Sequence, residues 1–271
     1  MGLLWGDIIG SYYEFTAPHK IFLHRTVSDL HTKKNVFKLG FGHYTDDTAL
    51  TLAAMQSFVD CRGKYNLEDQ KQKVRMYYNG YFSSSDYCFD IGSATLLFID
   101  ECFDLALTVK DSGGNGFLMK LLPFAMYSAL NIHDVKSKRK FYKKCVVKSH
   151  GHFDAVATAI SAGFLLESAL TGKIDWDSPI PNYKHTRDSR GFCVGTYNIV
   201  VDELNRGTGL EEGFGNIIRR GFDTDTNSAI FGMFCAIRDG AECVDMSKVK
   251  YHENITRTFE EFFQCISPKS Y

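Results

Sequence analysis

Two short acidic turns constrain this chain more than anything else in it: Thr45-Asp46-Asp47-Thr48 and Asp223-Thr224-Asp225-Thr226, each directly ahead of a stretch with helical spacing. Taken singly, each reads as an ordinary helix start, because Asp and Thr are favoured N-caps and the helix dipole welcomes acids there. Taken as a pair, they suit hard cations. Adjacent Asp carboxylates with a Thr hydroxyl present several oxygens on a short, stiff turn, the donor set that Mg²⁺ and Mn²⁺ prefer. A fold that brought the two turns together would set four carboxylates against one another, and their repulsion would raise at least one pKa unless cations lay between them. Two divalent ions would neutralise such a group.

The rest of the chain reads as mostly helical. Thr48–Val59 and Thr226–Arg238 follow the acidic turns and are punctuated by Gly63 and Gly240. From Asp154, read as an N-cap, to Leu170, the residues Val156, Ala159, Ile160, Gly163, Leu166 and Leu170 recur at three or four, with Gly172 as terminator. Ile255, Phe259, Phe262, Phe263 and Ile266 predict an amphipathic last helix that leaves Glu260 and Glu261 to solvent. Phe192 to Val201 fits either a strand or a helix. With only 5 Pro in 271 residues, no Ser/Pro-rich linker and no repeat at a fixed period, one domain over residues 1–271 is expected.

Composition narrows the class further. Hydrophobic residues at 44% and charged residues at 23% exclude collagen-like, disordered and coiled-coil chains. Lys+Arg 31 against Asp+Glu 32 lacks the basic excess of a protein built to grip duplex nucleic acid, so no strong nucleic-acid signal is present. The 8 cysteines, Cys61, Cys88, Cys102 and Cys235 among them, form no C-x-x-C pair and read as reduced thiols. Met1 to Gly10 contains Asp7 and no basic stretch, unlike a secretory signal, and Gly6 stands where a myristoylation motif wants Ser or Thr. The apolar stretch Ile91 to Val109 is broken by Asp100, Glu101 and Asp104, so no membrane span is expected and a soluble, cytoplasmic protein is.

Beyond the two turns, several segments stand in a characteristic order: Gly6-Asp7-Ile8-Ile9-Gly10 with Glu14 and Phe15; Gly114-Asn115-Gly116 with Met119 and Pro123; His150; and Gly191-Phe192 through Thr196. With the acidic turns they resemble the ADP-ribosylglycohydrolase family, which includes the dinitrogenase-reductase-activating glycohydrolases, over nearly the whole chain. The resemblance implies an all-α, compact multi-helix domain with a metal cleft holding two Mg²⁺ or Mn²⁺. It implies Thr45, Asp46, Asp47, Asp223, Asp225 and Thr226 as metal ligands, and Glu14 as an acid that guards or ligates a metal and helps activate water. It also implies His150 as a substrate contact. Phe222 where the family often has Gly, Lys120 where Arg is common and Ser149 where Thr is usual depart from the pattern without removing a ligand.

The expected reaction is hydrolysis of the glycosidic bond between ADP-ribose and a modified protein or other acceptor, through an oxocarbenium-like transition state, with ADP-ribose as product. Glu14, or Asp111 ahead of the glycine-rich loop, is the candidate proton acceptor. Ser112, Gly114, Asn115 and Gly116 form a loop able to bring amides to a pyrophosphate, and no Lys-Ser/Thr follows to make it an NTPase loop. The run Lys136, Lys138, Arg139, Lys140, Lys143, Lys144 reads as a solvated helix face, with steering toward phosphates as the alternative. A catalytically inactive ADP-ribose binder and a two-metal phosphoesterase remain as other readings of the same residues.

Overall fold

The computed structural model describes residues 1–22, 30–99, 109–183, 186, 188–242 and 244–268. Among these the chain forms eleven α-helices: α1 (Gly2–Gly10), α2 (Asp46–Asp60), α3 (Leu67–Tyr78), α4 (Ser93–Phe98), α5 (Leu121–Asn131), α6 (Val135–Val146), α7 (Phe153–Leu170), α8 (Cys193–Asn205), α9 (Leu210–Ile218), α10 (Thr224–Asp239) and α11 (His252–Ile266). Extended pairing among them is limited to two isolated bridges, Thr16 with Phe222 and Gly114 with Phe192. The all-α expectation holds. The ambiguous stretch after Phe192 is helix α8, and its mixed apolar phase has a simple cause: Cys193 to Val201 are all buried, so no face had to be polar.

Helix α10 runs through the centre, packed by α1, α9, α8 and α7, and its residues Thr224 to Cys235 are all buried. Its closest neighbour is α1. Gly2, Gly6 and Gly10 recur every four residues and form one bare stripe along α1. A Cβ at Gly2 would come 2.0 Å from the Gly232 carbonyl oxygen, one at Gly6 2.2 Å from that of Ser228, and one at Gly10 2.4 Å from the Asp225 Cα. The two backbones therefore touch, and the approach carries Asp7 to the end of α10 that bears Asp225. Gly6→Val is expected to cost about 3 kcal/mol or more, the upper end for overpacking, because no rotamer relieves a clash with backbone. A wild-type urea midpoint for that variant would show that the contact is not needed.

Three sequence expectations are corrected in detail. The N-cap of α7 is His152, whose ring nitrogen accepts from the Asp154 amide at 3.2 Å, and Asp154 sits inside the first turn, where the dipole favours it. On α11 only Phe262 and Ile266 are buried, with Ile255 partly so, whereas Phe259 and Phe263 are exposed. The helix meets α2 along a narrow seam, Phe58 against Phe262 at 5.7 Å between ring centroids, too thin to cover five apolar positions. Helices α2 and α10 each begin two residues earlier than their apolar spacing suggests, so Thr45 and Asp223 are their N-caps and the rest of each acidic turn lies within the first helical turn.

One described helix, α7, is long and apolar enough to span a membrane, yet Ala155, Thr158, Ala159, Ala162 and Leu166 on it are buried and it packs on α5, α6 and α8. The six described cysteines stand as free thiols. Cys102, Asp100, Glu101 and Asp104 lie outside the described residues.

Candidate active site

The two acidic turns meet. Asp7, buried on α1, grips the start of α2: its Oδ1 accepts from the Thr45 amide at 2.9 Å, and its Oδ2 accepts from the Thr48 amide at 3.0 Å and the Thr48 hydroxyl at 2.6 Å. A residue on another helix thus serves as a cap, satisfying donors that the helix start leaves open. The Thr45 hydroxyl donates to Asp47 Oδ2 at 3.2 Å, and from the other turn the Thr226 hydroxyl reaches the same oxygen at 3.3 Å. Asp223 is fixed by Asn115, whose Nδ2 donates to Asp223 Oδ2 at 2.6 Å and to Thr196 Oγ1 at 2.9 Å. Thr224 ties the same turn to α1 by donating to the Gly10 carbonyl at 2.7 Å.

Glu14 enters from the Thr16–Phe222 bridge, where the Phe15 amide donates to the Phe222 carbonyl at 2.7 Å and the Phe222 amide to that of Thr16 at 2.8 Å. Phe15 and Phe222 both hold left-handed backbone, φ 59° and 64°, conformations that cost a bulky residue free energy and are found where a site fixes them. Glu14, only 7% exposed, lies with Asp90 and Asp225 so that one carboxylate oxygen of each falls within 4.8 Å of the others.

Seven carboxyl groups thus share one buried region: Asp7, Glu14, Asp46, Asp47, Asp90, Asp223 and Asp225. Loss of water is the largest cause of upward pKa shift in every one, and neighbouring negative charge adds to most. Asp7 rises to about 6 although Thr48 and Thr45 hydrogen bonds oppose the shift. Asp46 rises to about 7 and Asp90 to about 10. Asp47, Asp225 and Glu14 are pushed well above the carboxylate range, with Asp225 the leading charged neighbour of both Asp47 and Glu14.

These residues fit a hard divalent cation. Glu14 Oε2 and Asp47 Oδ1 are buried without a hydrogen-bond partner. A buried carboxylate oxygen in that state costs several kcal/mol unless a proton or a cation meets it, and an all-oxygen donor set suits hard divalent ions over softer ones.

The cluster floors a cleft of about 920 Å³. Of the residues singled out in the sequence, Glu14, Asp46, Asp111, Ser112, Gly114, Asn115, Gly116, His150, Asp223, Asp225 and Thr226 line it, while Thr45 and Asp47 are buried and bonded behind it. Asp111 is exposed at the rim and Glu14 lies inside. The glycine-rich loop is held by the Asn115 amide donating to the Gly191 carbonyl and the Cys193 amide to that of Gly113, both at 3.0 Å. Packing crowds two of its glycines: a Cβ at Gly113 would come 2.7 Å from the Phe192 ring, and one at Gly116 3.0 Å from His150 Nε2. The amides of Gly114 and Gly116 have no backbone acceptor among the described residues. His150 is buried with Nδ1 2.9 Å from the Ser149 hydroxyl, and burial, aided by the Lys120 ammonium, lowers its pKa to about 3, so the ring is neutral.

Two members of this group were not singled out as site residues from sequence. Asp7 lay inside a motif that gave it no task. Asp90 stands in an irregular loop with no period or motif around it, and only Gly92 and Ser93, opening α4, mark the place.

An all-α scaffold that converges two acidic helix starts beneath a glycine-walled cleft defines the class of protein. The ADP-ribosylglycohydrolase family model matches residues 1–268, and the chain belongs to that family. A protein of Acanthamoeba polyphaga mimivirus named as an ADP-ribosyl glycohydrolase is 25% identical over 280 residues, covering 86% of this chain and 83% of its own. The ADP-ribosylarginine hydrolase Tri1 of Serratia proteamaculans is 24% identical over 64% of this chain and 46% of its own length, and that of Pseudomonas putida 28% identical over 47% and 34%. These matches span less than half of either hydrolase. A solved structure titled ADP-ribosylglycohydrolase-related protein complex shares the fold with a TM-score of 0.73 at 20% identity, covering 98% of this chain and 95% of that one.

Proposed function

We propose that this chain is a divalent-cation-dependent hydrolase that frees ADP-ribose from a modified acceptor. The observation that carries the reading is the pair of unpaired, buried carboxylate oxygens in the acidic cluster, Glu14 Oε2 lining the glycine-walled cleft and Asp47 Oδ1 directly behind it. Thr45, Asp46, Asp47, Asp223, Asp225 and Thr226 are the residues to hold two Mg²⁺ or Mn²⁺, with Glu14 and Asp90 beside them. When bound, the cations supply charge that polarises substrate oxygens and lowers the pKa of a water.

The chain's own residues do the remainder. Glu14, beside Asp225 and with Oε2 unpaired, would be ionised once cations offset the negative charge around it and would then accept the proton of the attacking water, with Asp90 the second acid in reach of the same place. Asp111 at the rim is left to substrate contact. The Gly114 and Gly116 amides suit a pyrophosphate, and His150, its Nδ1 held 2.9 Å from the Ser149 hydroxyl, turns its ring toward the glycine-rich loop as a substrate contact. Phe15, Phe192 and Phe222 wall the cleft, and Phe15 at 70% exposure has a face open to stack on adenine. The relatives named for ADP-ribosylarginine support a protein acceptor, and the single continuous core supports one domain.

Product analysis tests the reading. A panel of N-linked and O-linked ADP-ribosylated acceptors is expected to yield free ADP-ribose with Mg²⁺ or Mn²⁺ and none after chelation. AMP with ribose phosphate would make the chain a phosphoesterase, and no turnover on any acceptor an inactive binder.

A further inference from the structure

Outside the cleft, the strongest unassigned feature is the outer face of α6. Lys136, Arg139, Lys140, Lys143 and Lys144 are all exposed there, and Lys148 extends the row beyond the helix end. The spacing of three and four places them on one side. Phe141, Tyr142, Cys145 and Val146 fill the other side and are buried, and Lys138 turns inward to pair with Glu167. None of the six exposed cations forms an ion pair among the described residues, although the whole chain is nearly neutral. Arg139 lies over the Phe164 ring at 5.9 Å and Lys144 over Tyr65 at 5.2 Å, which holds those two stems against the surface.

The row leads to the cleft. The Gly151 amide donates to the Val109 carbonyl at 2.8 Å, which sets exposed Lys110 beside the segment that follows Lys148. Asp111, next to Lys110, and His150, two residues beyond Lys148, line the cleft.

We propose that this face of α6, continued by Lys148 and Lys110, binds the phosphodiester backbone of a nucleic acid and brings it to the mouth of the cleft. From Lys136 to Lys144 the helical rise covers about 12 Å, or between three and four steps of a strand rising ~3.4 Å each. A row of lysines is the composition that protein interfaces avoid at their centres. A membrane surface would need an apolar face to bury, and the apolar face of α6 is spent on the core; among its exposed residues only Val135, at the first position, is a large apolar one. A polyanion with evenly spaced charges is the partner that fits. The face stands whichever acceptor the cleft serves, and its test contains no ADP-ribose, so it fails or survives apart from the hydrolase reading.

Fluorescence anisotropy with the full chain and a fluorescein-labelled single-stranded DNA of about 15 nucleotides reads the binding, titrated between about 50 and 200 mM salt. Affinity is expected to fall steeply with salt. The triple variant K136Q/K140Q/K143Q is expected to weaken binding at least about tenfold and to flatten the log–log salt slope by about 2, near 0.7 for each phosphate of a single strand that is no longer neutralised. K136R/K140R/K143R is expected to bind as wild type, and both triples to melt as wild type, since all three positions are exposed. Absence of salt-dependent binding, or wild-type affinity in the glutamine triple, overturns the proposal. Equal binding of a poly-glutamate peptide or of phosphatidylserine vesicles also overturns it, by assigning the face to an acidic protein or to lipid.

Discussion

Asp225→Asn is expected to lower kcat/KM at least about 100-fold, the lower range for loss of a preorganised electrostatic group, and to make the cation-free protein more stable. The two effects share one cause. Asp225 lies in the carboxylate triad with Glu14 and Asp90 and is the leading charge raising both Asp47 and Glu14. Replacing it by an amide of the same shape removes a donor from the cation set and also relieves repulsion among groups that have lost their water. Turnover assays and urea melts in EDTA measure the two signatures, with far-UV circular dichroism checking that the helices persist. Asp46→Ala should lose turnover in the same way. A wild-type rate in either variant would remove the acidic turns from the mechanism. Lost activity with lowered cation-free stability would mean that Asp225 serves the fold and not the ions.

The second large effect is on the pH dependence of the stripped protein. In EDTA, thermal stability is expected to fall as pH rises from about 5 to 8, contrary to most proteins with paired surface carboxylates. Asp46 moves from an ordinary 3.8 up to about 7 and Asp7 up to about 6 in the folded chain. A raised folded-state pKa means the native state binds the proton more tightly than the unfolded state does. The stability this gives is fully present below about 4 and is lost as pH passes through 6 and 7. Burial of several such groups makes the change on the order of a few kcal/mol. Saturating Mg²⁺ or Mn²⁺ should cancel it, because cations replace the protons. Melts at the two pH values with and without the ion check this, and a flat profile in EDTA would contradict the electrostatics of the cluster.

The acidic turns were readable in sequence because the residues of each are contiguous and stand at helix starts, where spacing alone marks them. Their meeting was not, since Thr226 reaches Asp47 across 179 residues and no local pattern encodes that approach. The agent of convergence, the Gly2, Gly6 and Gly10 stripe, was partly visible as a motif, yet its purpose emerges only opposite Ser228 and Gly232. Asp111 attracted notice by preceding the glycine-rich loop, and Asp90 attracted none because its position is set by tertiary contacts, among them the Tyr77 hydroxyl donating to its carbonyl. Asn115 lines the cleft as the glycine-rich loop suggests, but the bonds from its Nδ2 to Thr196 and Asp223 join residues 81 and 108 positions away and leave no local mark in the sequence. The all-helical class was legible from periodicity, and α11 was overread because a wide apolar face does not oblige a neighbour to cover it all.

The position of Asn115 has a thermodynamic consequence. It belongs to the glycine-rich loop that walls the cleft, and its side chain anchors Asp223 of the acidic floor. With the proposed ions on that floor and the proposed nucleotide on that loop, a shift of one is expected to reach the other through this side chain, and linkage makes the influence reciprocal: the factor by which ions tighten the hold on a nucleotide is the factor by which the nucleotide tightens the hold on ions. Asn115→Ala should bring that factor toward unity, leaving each ligand to associate in ignorance of the other.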